Sequence, residues 1–148
     1  MISEQDISGK VLDHLGLIAA TIDKLGLIEK IDARIPLNNA KTTMGQRVAC
    51  MIYNGLGFTN DRLYMFPEFL SNKPIDRLFE GQLTAENFND DALGRALDAI
   101  HEYGVNKLFV ELALTIGIEQ NLLGKTFRVD STSLVVYGDY DKEQSLST

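Results

Sequence analysis

Apolar positions recur along most of the chain at intervals of three and four, the spacing that puts one face of an α-helix toward a core. Val11, Leu12, Leu15, Ile18, Ile22 and Leu25 predict an amphipathic helix closed by Gly26. A shorter one follows with Ile28, Ile31 and Ile35, stopped at Pro36. The polar run 38–43 offers several N-cap candidates for a strong helix carrying Val48, Met51, Ile52, Gly55 and Leu56, with Gly57 as its stop. Leu63, Tyr64, Phe66, Phe69 and Leu70 form an aromatic cluster interrupted by Pro67, and Pro74 opens a short helix that ends by Gly81. Asn89, Asp90 and Asp91 supply caps and favourable charge for a helix with Leu93, Ala96, Leu97, Ile100 and Tyr103 on its buried stripe and Gly104 as its stop. Val105 to Glu119 predicts another, with Val105, Leu108, Phe109, Leu112 and Ile116 toward the core.

After Gly124 the period changes. Phe127, Val129, Val135 and Tyr137 share one parity with Ser131 and Ser133, while Arg128, Asp130, Thr132, Leu134 and Val136 share the other. That is a half-buried strand with a carboxylate in its middle, a local conflict of the kind that marks a site. On its own Asp130 reads equally as a turn-capping or Arg128-paired carboxylate and as a catalytic one. A lone strand needs further strands or a helix to pack on. The expected fold is therefore mainly α, an orthogonal or bundle-like helical domain over residues 1–124, followed by a short β segment over 125–148.

Composition narrows the classes. With 45% hydrophobic residues in 148, the chain can bury a core as one ordinary domain, or one domain and part of another. No apolar run approaches a membrane span, the first six residues lack a secretory pattern, and a lone Cys50 among apolar neighbours suits a reducing cytoplasm. Cys50 has no partner for an internal disulfide, and with only His14 and His101 no zinc-ligand cluster forms. The net charge of −7 runs against the basic footprint of phosphate binding. Its distribution is uneven. Residues 1–60 balance six Lys/Arg against six Asp/Glu, whereas 61–104 carry four against nine. DNA contact is thus least unfavourable in the first sixty residues. A helix-turn-helix arrangement there would place Lys41, Thr42, Thr43, Gln46 and Arg47 at the exposed N-terminus of a recognition helix. The plainer use of these residues is capping and a solvated first turn. Arg62 among the aromatics invites the idea of base stacking, but such clusters more often form core.

Several motifs taken together resemble a family. The segments 12–18, 25–32, 54–58 and 89–98, followed by Val129-Asp130-Ser131-Thr132-Ser133, look like the N-terminal region and first catalytic strand of bacterial insertion-sequence transposases of the DDE, ribonuclease H-like type. The resemblance implies DNA transposition and recombination, with two Asp and one Glu holding two divalent ions, Mg²⁺ or Mn²⁺. Only Asp130 carries over, as the first carboxylate and a metal ligand; the others are expected beyond Thr148. Asp139, Asp141 and Glu143 lie too close in the following turn to replace them. Eighteen residues follow Asp130. The chain is accordingly expected to be a truncated or N-terminal piece, inactive alone, whose helices bind transposon ends or assemble a homodimer. A free-standing helical interaction module is the rival reading. A small hydrolase using Asp130 with Ser131 or Ser133 lacks an evident activating histidine.

Overall fold

The computed structural model describes residues 12, 14–56 and 62–124, and they are mainly helical. The expected β segment, Asp130 included, lies outside the described residues, as does Gly57.

Helix α1 (Leu15–Leu25) buries Leu15, Ala19 and Ile22, one stripe at helical spacing. Gly26 ends it with φ 56°, a left-handed conformation that glycine adopts without steric cost, and its amide donates to the carbonyls of Ile22 and Asp23. The same residue starts α2 (Leu27–Asp32), so two helices meet at a single-residue corner. The regular part of α2 stops short of Pro36. Ile35 immediately precedes the proline, where helical backbone is disfavoured, and Ala33 to Ile35 turn while still burying Ile35.

Helix α3 (Met44–Leu56) is the centre of the array, packing on α1, α2 and α6. Gly45 allows the closest of these approaches: a Cβ there would stand 2.6 Å from the Ile28 Cα. Asp32 fixes the same junction, its Oδ1 accepting from the Gly45 amide at 2.7 Å. Beyond α3, a 3-10 turn (Leu63–Met65) leads into α4 (Phe66–Ser71). Pro67 opens α4 instead of interrupting it, because a first-turn proline lacks only an amide that the helix would leave unbonded. Phe66, Phe69 and Leu70 are buried while Tyr64 is exposed, so most of the aromatic cluster is core.

Helix α5 (Ile75–Leu78) is one turn long. Phe79 follows in extended conformation and stacks on Phe88, ring centroids 4.6 Å apart, with Tyr53 edge-on at 5.4 Å. The Tyr53 hydroxyl donates to the Leu78 carbonyl at 3.2 Å, and burial pushes its pKa up. Thr84 and Asn87 form a capping box on a second 3-10 turn (Ala85–Phe88).

Helix α6 (Asp90–Tyr103) starts as expected, with the Asn89 side chain accepting from the Ala92 amide at 2.9 Å. Leu93 and Ala96 are buried, whereas Leu97 is exposed. Gly104, at φ 102°, separates α6 from α7 (Val105–Glu119). On α7 the expected core face is corrected. Leu108 is buried and Leu112 packs at the edge of the core, but Val105 and Phe109 face outward, Phe109 at 71% exposure. No described helix is long and apolar enough to cross a membrane.

Candidate functional site

The start of α3 concentrates the polar residues that the sequence singles out, and the fold divides them. Thr43 and Gln46 make a reciprocal capping box: the Gln46 amide donates to Thr43 Oγ1 at 3.1 Å, and the Thr43 amide to Gln46 Oε1 at 3.0 Å. Gln46 Nε2 also donates to the Glu80 carbonyl at 3.0 Å, tying α3 to the segment after α5. Thr42 and Arg47 are not at an exposed surface, as the recognition-helix arrangement requires; both are buried. Arg47 Nε donates to Thr42 Oγ1 and Nη1 to the Ala92 carbonyl, each at 2.9 Å. Thr42 Oγ1 makes a long 3.5 Å contact to the Asn87 carbonyl. Burial, and after it the charge of Arg95, lower the Arg47 pKa, yet a guanidinium keeps its proton at neutral pH. Arg47 therefore acts as a cross-brace between α3 and the start of α6. Lys41 and Thr43 remain exposed.

Two clefts flank this helix start. One of about 520 Å³ is lined by Asp23, Glu29, Asp32 and Glu80 with Arg77 as its single cationic residue. The other, about 420 Å³, takes Lys41, Glu80 and neutral residues including Thr84 and Asn87. Four carboxylates against one guanidinium make the larger cleft unfavourable for a phosphate backbone. Neither places a nucleophile beside a base. Cys50 is fully buried and desolvation raises its thiol pKa, so it is packed as an apolar residue and is not a thiolate.

Metal chemistry finds no seat here. Among the described residues no three His, Cys, Asp or Glu side chains converge as ion ligands, and Asp130 lies outside them. The described residues by themselves do not fit a two-ion centre.

A second polar constellation joins α2, α6 and α7. Arg34 Nε bonds Glu111 Oε2 at 3.0 Å, its Nη2 donates to Thr115 Oγ1 at 3.0 Å, and its Nη1 to the Lys30 carbonyl at 2.7 Å. The Tyr103 hydroxyl donates to the same Glu111 oxygen at 2.7 Å. Lys30 pairs with Glu119 at 2.7 Å, and the Lys107 ammonium stands 4.4 Å from the Tyr103 ring centre. The Tyr103 hydrogen bond first, and the Arg34 one with it, hold the Glu111 carboxyl below its ordinary pKa; the Glu111 carboxylate in turn raises that of Tyr103. Nothing in the local sequence signals this network, since Arg34 and Glu111 are 77 positions apart.

The sequence model of the family described as "Domain of unknown function (DUF4277)" matches residues 7–114. The chain belongs to this family. The DUF4277 region takes in α1 to α6 and ends inside α7, at Leu114 of Val105–Glu119. Both clefts and the Arg47 brace fall within it, while Thr115, Glu119 and Asp130 fall after it. No curated protein and no solved structure matches the chain.

Proposed function

We propose that this chain is the N-terminal region of a DDE-type insertion-sequence transposase, with a helical DUF4277 domain leading into a catalytic strand that bears Asp130. The observation that carries the proposal is the order of motifs along the chain. Four segments of the resemblance are followed by Val129-Asp130-Ser131-Thr132-Ser133. Asp130 is assigned as the first of three carboxylates that hold Mg²⁺ or Mn²⁺ in the full-length family, and one carboxylate is too few for a two-ion site. Alone, the chain is proposed to be without strand-cleaving activity. Cleavage of DNA by the purified protein with Mg²⁺ or Mn²⁺, lost in Asp130→Ala, would overturn that.

Between the two roles open to the helices, assembly is favoured over direct binding of transposon ends. The support is the burial of Arg47 and Thr42 and the acidic lining of the adjacent cleft. Titration with a duplex carrying the inverted repeats that flank the coding sequence, at low and at moderate salt, tests this. Absence of binding at low salt supports assembly. Salt-sensitive binding weakened by Lys41→Ala returns the helices to DNA recognition. The rival reading, a helical protein–protein module with no role in transposition, draws on the outward apolar side of α7. It is favoured if the flanking DNA holds neither inverted repeats nor a continuation encoding further carboxylates.

A further inference from the structure

Helix α7 is fastened to α2 and α6 through Leu108 and the bonds of Arg34 to Glu111 and Thr115. On its opposite side Phe109, Val110, Leu114 and Ile118 stand at 50–71% exposure, and Ala113 between them is exposed as well. Positions 110, 114 and 118 form one row along the helix, with 109 and 113 in the next. The helix end adds to this side. Asn121 adopts φ 53°, the Leu122 amide donates to the Gly117 carbonyl at 2.8 Å and the Asn121 amide to the Ile118 carbonyl at 3.1 Å, the Schellman pattern that reverses a chain. Leu123 is thereby laid on Gly117, where an added Cβ would stand 2.7 Å from Leu123 Cδ2. Gly117 lies three positions past Leu114, so Leu123 continues the same ridge.

Area and charge together indicate what covers this ridge. The six side chains leave on the order of 600 Å² accessible, the upper end of the largest patch on an ordinary monomer. A standard interface takes about 800 Å² from each partner, which the ridge reaches once its polar ends are included. Those polar residues lie only at the ends: Asn106 and the one charge of this side, Lys107, in the first turn, and Asn121 at the cap. An apolar centre with a polar rim is the anatomy of a protein–protein contact. The first turn of α7 holds no acidic residue and the last turn no basic one. Lys107, over the Tyr103 ring, therefore sits at the positive end of the helix dipole, where a cation is disfavoured. A second α7 laid antiparallel brings the negative end of its dipole to that cation. A parallel one would bring like ends together.

We infer that α7 is the contact between two copies of this chain, paired antiparallel about a two-fold axis at Leu114. Lys107 and Asn121 lie seven positions to either side of Leu114, so one axis brings each Lys107 to the partner's Asn121. The same axis sets Val110 level with the partner's Ile118. The inference deepens the assembly role proposed above and rests on that reading. Since α1 to α6 close a core of their own, the contact joins folded chains, and dilution separates them without unfolding.

Sedimentation equilibrium of the full chain over a wide range of concentrations tests it. The mass is expected to rise from one chain to two as concentration increases. Leu114→Asp sets two carboxylates against each other at the axis and should raise the dissociation constant on the order of a hundredfold. Leu17→Asp, at the exposed apolar side chain of α1, should leave it unchanged. Both positions are exposed, so each variant retains its helical circular dichroism. Mild oxidation of a mixture of Val110→Cys and Ile118→Cys chains reads the orientation: mixed dimers are expected to exceed self-linked ones, Cys50 being buried. A chain that stays monomeric at every concentration overturns the inference together with the assembly reading. A dimer that survives Leu114→Asp overturns the inference alone. So does an excess of self-linked Val110→Cys dimer, the mark of parallel helices.

Discussion

The region around Tyr53 and the region around Glu111 hold the molecule together in opposite ways. Tyr53, Phe79 and Phe88 interlock between α3, α5 and α6 with almost no exposed surface, and the one polar atom among them, the Tyr53 hydroxyl, is bonded to a backbone carbonyl. At α7 the order is inverted. Beside a small apolar contact at Leu108 and Leu112, charged and hydroxyl groups make the inner contact, and large apolar groups such as Phe109 and Ile118 face outward. The lesson is that α1 to α6 close on themselves through area removed from water, whereas α7 is fastened by directional bonds and left with apolar area to bury against something further.

The contrast is most sharply broken at two phenylalanines. Phe88→Ala, at a fully buried ring, is expected to cost about 3–5 kcal/mol of unfolding free energy. Phe109→Ala is expected to stay within about 0.5 kcal/mol. Urea denaturation measures both, and similar losses at the two positions erase the distinction between the regions. A smaller effect is expected at the brace. Arg47→Met keeps apolar volume but removes the donors to Thr42 and Ala92, and about 1–3 kcal/mol is expected from the buried acceptors left behind. A neutral result would mean that the loop 38–43 and α6 hold their places without it.

The smallest and most local effect is that of pH on α7. The folded-state pKa of Glu111 is depressed, so its contribution is complete above the unfolded value of about 4.3 and is lost as pH falls through the lower folded value. Tyr103, shifted upward, contributes below about 10 and loses its share as pH rises through its folded value. In acid, the backbone amides of α7 should lose hydrogen-exchange protection before those of α3, and Glu111→Gln should remove the acid-side difference. Simultaneous loss in both helices would show that the network does not fasten α7.

Helix identity and most helix ends could be read from the chain because they rest on local chemistry. Gly26, Asn89 and Gly104 act within a few residues of their own positions, through backbone conformation and side-chain caps. The start of α3 could be read only halfway. Thr43 and Gln46, three apart, make a box that sequence spacing permits, whereas the burial of Thr42 and Arg47 depends on α6 arriving 45 residues later with the Ala92 carbonyl. Periodicity likewise marks α7 as helix, but its nearly uniform apolarity leaves open which side meets the core.

The sequence by itself thus determined the helices and most of their caps, since each follows from propensity and spacing inside one short window, while the strand expected after Gly124, with Asp130 in it, lies outside the described residues. Tertiary structure alone decided which polar residues brace the interior, which side of α7 stays uncovered and where the chain turns as it leaves that helix. Those outcomes depend on partners brought together from distant positions, as Arg34 is with Glu111 and Gly45 with Ile28, and no local pattern encodes such a meeting.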